Sequence, residues 1–291
     1  MSATDPFRSL SERIDALAET PPGTRLPVDA GALIDDLLDR LESGEIRSAA
    51  RGGDGRWSAV PWVKRGILLG FRMGQLVDMS PPTHGELNEP FSFVDKDTFP
   101  TRHFSTEDGV RVVPGGSTVR RGAHLASGVV CMPPMYVNVG AHVGRGAMID
   151  SHALVGSCAQ IGERVHLSAA AQIGGVLEPV NAAPVVIEDD AIIGGNCGVY
   201  EGTVVRRGAV LAAGVVLTRG TPVYDLVREV VYRADADHPL EIPENAVVVP
   251  GARRVTGGWG GAKGLSLQTP VIVKYRDEKT NLSTALEAWL R

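Results

Sequence analysis

Aliphatic residues return at every sixth position between Val113 and Leu217, and a small or β-branched residue follows four places after most of them. The inward-facing positions that this period predicts are Val113, Val119, Leu125, Cys131, Val137, Val143, Ile149, Val155, Ile161, Leu167, Ile173, Ile187, Ile193, Val199, Val205, Leu211 and Leu217. A period of six fits neither the roughly 3.6-residue period of an α-helix nor the two-residue period of a strand. It is typical of a hexapeptide β-helix, in which three short faces close a triangular coil of roughly eighteen residues. The sequence therefore predicts a mainly β fold.

Helical patterns precede the repeat. Apolar residues at helical spacing predict helices at Asp5–Glu19 and Asp29–Gly44, and a third helix is predicted after Pro61. The proline-rich segment 80–90 should be a loop. The chain therefore begins with a small, mostly helical unit.

The period of six stops after Leu217. Runs of β-branched residues then predict strands at Ala246–Val249 and Thr269–Tyr275, with a glycine-rich loop at 257–264 between them. Leu282–Arg291 should close the chain as a short helix. We expect this segment to cover the end of the coil, because a solenoid needs a terminal cap.

The repeat is interrupted between Ile173 and Ile187, which are fourteen residues apart instead of twelve. The excursion, residues 174–186, begins with two glycines. Such excursions are commonly lids or binding loops, and the glycines offer a hinge; the alternative is that the segment caps a seam or packs on a neighbouring chain. The predicted domains are an N-terminal helical domain (1–105), a β-helix (106–222) containing this excursion, and a small C-terminal β/α cap (223–291).

Composition narrows the function classes. The net charge of −5 argues against a nucleic-acid partner, which would require a basic surface. The apolar runs are far shorter than the roughly twenty residues that span a membrane. The three cysteines form neither a zinc pattern nor a disulfide framework, so we expect a reducing, cytoplasmic location.

Several segments resemble those of tetrahydrodipicolinate N-succinyltransferases. The most specific are Gly-Ser-Cys-Ala-Gln at 156–160 and Gly-Gly-Val-Leu-Glu-Pro at 174–179, supported by Met-Ile-Asp at 148–150 and Arg-Val-Val-Pro at 111–114. The resemblance covers nearly all of the chain after about residue 30. It implies a left-handed parallel β-helix and a homotrimer with active sites between subunits.

The resemblance also implies the reaction. The succinyl group of succinyl-CoA would pass to the amine of acyclic tetrahydrodipicolinate (L-2-amino-6-oxopimelate) in lysine and diaminopimelate biosynthesis. Succinyl-CoA would be a co-substrate, with no metal, no tightly bound cofactor, and no nucleic-acid or membrane partner. The alternatives are an acetyl-CoA-dependent N-acetyltransferase acting on the same diacid, and a non-catalytic hexapeptide binding or scaffold protein.

By motif, Asp150 and Arg111 are the residues that would contact the amino-diacid. Attack by an amine on a thioester requires a base for the amine proton and donors for the oxyanion. Asp150 follows the inward-facing Ile149 and should point outward, where it would orient the amine or accept its proton. A guanidinium such as that of Arg111 suits a dicarboxylate. Without the resemblance, Asp150 would fit a common surface or turn position of a hexapeptide, and Arg111 would fit a surface arginine at the start of the coil.

One family feature is missing. Many members carry the run Ser-Glu-Val-Val-Glu-Gly, whose first glutamate is a candidate base, whereas residues 197–202 here read Cys-Gly-Val-Tyr-Glu-Gly. Gly198 therefore replaces that first glutamate, and Glu201 is the second. Either Asp150 serves alone, or Glu201 takes the proton, or the amine loses it to water before attack.

CoA binding leaves a weaker signal. Ala213 and Gly214 would expose main-chain groups to the pantetheine arm, and Arg253 would meet the phosphates. His152, His166 and Cys158 are expected to be structural rather than catalytic.

Overall fold

A computed structural model describes residues 7–80 and 92–276. The N-terminal segment is mostly helical. Its elements are α1 (Arg8–Ala18), α2 (Ala30–Ser43), β1 (Ala49–Arg51), β2 (Trp57–Ala59), α3 (Pro61–Met73), β3 (Leu76–Asp78), β4 (Val94–Lys96) and a 3₁₀ helix (Thr106–Asp108). All three predicted helices are present, and Gly44 ends α2 in the left-handed conformation. Residues 1–6, and all of the predicted 80–90 loop except Ser80, lie outside the described residues.

The hexapeptide repeat forms a left-handed parallel β-helix. Its strands are β5 (Arg111–Val112), β6 (Thr118–Val119), β7 (His124–Leu125), β8 (Val130–Cys131), β9 (Tyr136–Val137), β10 (His142–Val143), β11 (Met148–Ile149), β12 (Leu154–Val155), β13 (Gln160–Ile161), β14 (His166–Leu167), β15 (Gln172–Ile173), β16 (Val186–Ile187), β17 (Ile192–Ile193), β18 (Gly198–Val199), β19 (Val204–Val205), β20 (Val210–Leu211) and β21 (Val216–Leu217). Val143 pairs in parallel with Ile161, eighteen residues further along the chain. Each coil therefore has three hexads, as the period predicts.

The strands form three faces. The first contains β6, β9, β12, β15, β18 and β21, the second begins with β7, β10, β13, β16 and β19, and the third begins with β5, β8, β11, β14, β17 and β20. We call the turn from the third to the first face the Asp150 corner (150–152, 168–170, 194–196 and 212–214). The turn from the first to the second face is the Glu201 corner (138–140, 156–158 and 200–202). These two corners carry most of the predicted site residues.

The predicted inward column is the core of the coil, and its members from Val119 to Leu217 are buried. Val113 is the exception and is only partly buried. It lies at the open end of the coil, where there is no preceding coil to cover it. The prediction that Val113 belongs to the core is therefore wrong.

The helices pack on the Glu201 corner. Their apolar residues form a second core that includes Val139 and Cys158 of the coil. At Gly140, where φ is +74°, a Cβ atom would lie 2.8 Å from Ile67 Cδ1. Glycine therefore allows α3 to approach the coil closely.

The parallel pairing continues beyond Leu217. The C-terminal elements are β22 (Val223–Asp225), β23 (Val230–Tyr232), β24 (Glu241–Ile242), β25 (Ala246–Arg254), α4 (Gly258–Ala262) and β26 (Ser266–Tyr275). β24 extends the second face and β25 extends the third, so segment 218–240 is another excursion from the coil.

β25 and β26 form a long antiparallel hairpin that contains both predicted C-terminal strands. The glycine-rich segment 257–264, predicted as a loop, contains one helical turn, α4. Gly261 N–H and Lys263 N–H close this turn on the carbonyl oxygens of Gly257 and Trp259. The predicted helix Leu282–Arg291 lies outside the described residues, among which no helix is long and apolar enough to cross a membrane.

Candidate active site

A cavity of about 980 Å³ lies beside the Glu201 corner. One wall is formed by loop 174–186, and another by residues 57–61 around β2. Residues 200–202 of the corner form the floor, and residues 236–239 from the later excursion complete the lining. The interruption of the repeat therefore borders this cavity.

Glu201 lines this cavity, close to the Gly174-Gly175 start of the loop. Its backbone has a φ of +55°, and its side chain is exposed. Its Oε2 atom accepts a hydrogen bond from the main-chain N–H of Arg219 at 2.8 Å, while the Arg219 guanidinium donates to the carbonyl oxygen of Asp235. The corner therefore presents a carboxylate that is oriented by the main chain.

Tyr200 is a cavity residue that the sequence analysis did not select. Its ring lies over Gly198 and Gly174, which belong to adjacent coils of the first face. The sequence did contain a signal for this packing, because Gly198 stands where the family motif has a glutamate. A glycine two residues before an aromatic residue leaves space for its ring.

Loop 174–186 is held from both sides. The buried Lys64 of α3 donates a hydrogen bond from Nζ to the carbonyl oxygen of Ala182 at 2.6 Å. At Gly202, where φ is +74°, a Cβ atom would lie 2.9 Å from the carbonyl oxygen of Ala183. Residues 182 and 183 of the loop therefore pack directly against α3 on one side and the coil on the other.

Asp150 lies at a different corner. It follows β11, is half-buried, and accepts a hydrogen bond at Oδ1 from the main-chain N–H of Ser151 at 2.7 Å. Ile149 beside it is fully buried, as the alternation predicts. The first face separates Asp150 from Glu201, so a single chain does not bring the two carboxylates together.

Arg111 opens the third face at the start of the coil and is exposed. It pairs with Val130, which pairs in turn with Met148, so Arg111 lies two coils below the strand that leads to Asp150. Arg111 and Asp150 therefore belong to the same side of the coil.

The predicted CoA residues continue this side. Ala213 and Gly214 follow β20 at the Asp150 corner, three coils above Asp150. Arg253 lies on β25, which pairs with β20. Its Nε atom is buried and has no hydrogen-bond partner among the described residues. The structure thus places Asp150, Ala213 and Gly214 along one corner and Arg253 on the hairpin that extends the same face.

A second cavity, of about 280 Å³, lies on the second face. The buried carboxylate of Glu188 accepts hydrogen bonds there from Trp57 Nε1 at 3.0 Å and Arg206 Nη1 at 2.9 Å. Burial raises the pKa of Glu188, but these hydrogen bonds outweigh it, and the net shift is downward. This cluster joins β2 to the coil.

Comparison with known proteins agrees with this architecture. Residues 10–73 match the profile of the family described as tetrahydrodipicolinate N-succinyltransferase N-terminal. Residues 184–219 match the profile described as hexapeptide repeat of succinyl-transferase. The two matches fall on the helical segment and on the upper part of the coil.

Many relatives carry the name 2,3,4,5-tetrahydropyridine-2,6-dicarboxylate N-succinyltransferase, and three of them illustrate the similarity. The protein from Nitrobacter hamburgensis is 42% identical over 264 residues, which cover 89% of each chain. The protein from Bradyrhizobium diazoefficiens is 43% identical over 258 residues, again 89% of each chain. The protein from Paramagnetospirillum magneticum is 39% identical over 295 residues, covering 98% of this chain and 99% of its own. With such identity over almost its whole length, this chain belongs to the tetrahydrodipicolinate N-succinyltransferase family.

Proposed function

We propose that this chain transfers the succinyl group of succinyl-CoA to the amine of acyclic tetrahydrodipicolinate, L-2-amino-6-oxopimelate, in lysine and diaminopimelate biosynthesis. The observation that carries this proposal is the 39–43% identity to N-succinyltransferases over 89–98% of the chain. The cavity at the Glu201 corner and the small residues along the Asp150 corner offer two surfaces on which a diacid and a CoA thioester would bind.

The reaction needs no covalent enzyme intermediate. The amine nitrogen attacks the thioester carbonyl carbon, an N–C bond forms, the C–S bond breaks, and CoA leaves as the thiol. A carboxylate takes the amine proton, and hydrogen-bond donors stabilise the oxyanion. We assign the carboxylate roles to Glu201 and Asp150, and the binding of a substrate carboxylate to Arg111.

A site that uses both carboxylates needs more than one chain. Asp150 and Glu201 lie at different corners, so they would meet only when the corner of one subunit faces the other corner of its neighbour. This separation supports a homotrimer with active sites between subunits, a closed symmetric assembly with heterologous contacts. An active monomer in sedimentation experiments would contradict this arrangement.

The donor would lie along the Asp150 corner. Ala213 and Gly214 would contact the pantetheine arm, and Arg253 would approach the phosphates from the hairpin. We assign no tightly bound cofactor. We place the reaction in the cytoplasm, where thiols remain reduced; Cys131, Cys158 and Cys197 are buried free thiols.

Thiol release measured with succinyl-CoA and with acetyl-CoA, each with and without the cyclic diacid, tests this proposal. We expect rapid release only with succinyl-CoA and the diacid together. Faster turnover with acetyl-CoA would favour the N-acetyltransferase alternative. The absence of any diacid-dependent release would contradict both.

A further inference from the structure

The ring of Tyr200 lies in a socket that two glycines leave open. A Cβ atom at Gly198 would lie 2.5 Å from Tyr200 Cε2 and 3.0 Å from its Cζ and Oη atoms. A Cβ atom at Gly174 would lie 2.8 Å from Tyr200 Cδ1. Neither glycine has a positive φ. Their backbone conformations are open to any residue type. The absence of a side chain at these two positions therefore provides space for the Tyr200 ring and is not required by the backbone turn.

This packing fixes the phenol beside the cavity. Tyr200 is half-buried and lines the cavity next to Glu201. Its hydroxyl makes no hydrogen bond within residues 7–80 and 92–276. A ring fixed at a cavity wall, with its hydroxyl unused by the protein, can donate to a ligand in the cavity.

Three other side chains of the wall already make hydrogen bonds within the protein. Arg219 donates to the carbonyl oxygen of Asp235, and Trp57 donates to Glu188. The two ring nitrogens of His238 contact Asp235 and Arg56.

Asn181 also has no internal partner among the described residues, but it is exposed on the loop. Preorganised donors stabilise an oxyanion best, because no reorganisation is needed as charge develops. Tyr200 meets this condition and Asn181 does not.

Building on the proposed function, we propose that Tyr200 is a catalytic residue whose hydroxyl donates a hydrogen bond to the thioester carbonyl oxygen as it becomes an oxyanion. Glu201, the next residue at the same corner, would then accept the proton of the amine. A phenol supplies one O–H donor, whereas a carboxylate only accepts. The corner therefore offers a donor for the oxyanion and an acceptor for the amine on consecutive residues.

Tyr200→Phe tests this role because it keeps the ring in its socket and removes only the hydroxyl. We expect kcat with succinyl-CoA to fall about a hundredfold, the usual effect of losing one oxyanion donor. The KM values and the thermal midpoint should change little. Tyr224→Phe is the matched control, since Tyr224 lies on β22 and is not part of the cavity wall, and its activity should equal that of wild type.

Gly198→Ala tests the socket. The added methyl would displace the ring, so this variant should also lose kcat. The double variant Gly198→Ala/Tyr200→Phe should be no slower than the slower single variant, because both changes remove the same hydrogen bond. Multiplicative losses in the double variant would contradict the proposed role.

The outcomes separate this inference from the proposed function. An active wild type whose Tyr200→Phe variant keeps kcat within a factor of about two, or changes only in KM, overturns the role of Tyr200 alone. A wild type that shows no diacid-dependent thiol release contradicts the proposed function, and the catalytic role of Tyr200 falls with it.

Discussion

Lys64 Nζ and the main-chain oxygen of Ala182 are 2.6 Å apart, across the contact between α3 and loop 174–186. Lys64 is fully buried, and burial lowers the pKa of its amine. A lysine retained in such a position needs a partner, and here the partner belongs to the loop. The N-terminal helices therefore help to fix one wall of the candidate active site.

Lys64→Met should loosen this wall while keeping the aliphatic packing. The variant leaves the Ala182 carbonyl without its donor, which costs about 1–3 kcal/mol when the group is buried. We expect faster hydrogen–deuterium exchange in residues 176–183 and a KM for the diacid raised about tenfold. Lys96→Met removes a similar bond, from Lys96 Nζ to the carbonyl oxygen of Gly74, away from the loop, and should change neither quantity. Unchanged exchange and KM in Lys64→Met would mean that the loop is held by other contacts.

The separation of Asp150 from Glu201 predicts complementation between subunits. Asp150→Asn and Glu201→Gln should each lower turnover at least about tenfold, which corresponds to about 1.4 kcal/mol of barrier. If each site takes one residue from each of two neighbours, random mixed trimers of the two variants contain about one quarter of sites with both carboxylates intact.

Mixing the two purified variants under conditions that exchange subunits should therefore restore about a quarter of wild-type activity. Two separately prepared samples of Asp150→Asn, mixed in the same way, are the control and should gain nothing. A mixture no more active than its components would show that the two carboxylates do not share a site.

The period of six was sufficient to predict the coil, since each inward position has the same environment and the signal repeats. It failed at Val113 because periodicity does not report where a stack ends. It also gave no warning that β24 and β25 continue the parallel pairing, because the excursion 218–240 separates them from β21 and interrupts the period. The local sequence pattern predicted α2 well, because its apolar residues at helical spacing are buried and Gly44 ends the helix as expected.

The site was harder to predict than the fold. The motif identified Asp150 and Glu201, but their positions at different corners depend on how hexads are assigned to faces. Tyr200 was missed because its role depends on the space over Gly198 and Gly174. That space lies between coils, so one segment of sequence cannot reveal it.

The Glu188 cluster should matter for stability. Glu188 is 7% exposed and accepts hydrogen bonds from Trp57, Arg206 and the main-chain N–H of Arg207. Glu188→Gln breaks a buried ion pair and leaves the Arg206 guanidinium with Glu241 as its remaining carboxylate partner. We therefore expect the free energy of unfolding at pH 7 to fall by about 3 kcal/mol. Glu163→Gln, which affects an exposed pair with Arg164, should have a much smaller effect. Equal urea midpoints for the two variants would contradict this assignment.

The same cluster predicts acid sensitivity. Because the folded pKa of Glu188 lies below its ordinary value, its charged form is favoured in the folded state. This stabilisation is present above the unfolded pKa and is lost as the pH falls through the folded pKa. The stability difference between wild type and Glu188→Gln should therefore shrink below about pH 4.

His142 makes a separate contribution at higher pH. Its ring stacks on that of His124, with centroids 4.4 Å apart, and its Nδ1 atom is buried without a hydrogen-bond partner among the described residues. Burial, with smaller effects of Arg47 and His124, lowers the pKa of His142 to about 2. The unfolded chain binds a proton near pH 6.5, so below this pH it holds more protons than the folded chain.

His142 should therefore destabilise the fold as the pH falls below about 6.5, by up to about 1.4 kcal/mol per pH unit. His142→Phe keeps a ring beside His124 and removes the titrating group. Urea unfolding of both proteins at one protein concentration, between pH 5 and 8, should give parallel stabilities above pH 7 and a growing relative gain for the variant below about pH 6.5. A constant difference across this range would mean that His142 gains its proton equally well in the folded chain. The ring would then have to leave its stack on acidification, and the acid sensitivity of the second face would come from Glu188 and from His124, whose pKa burial also lowers.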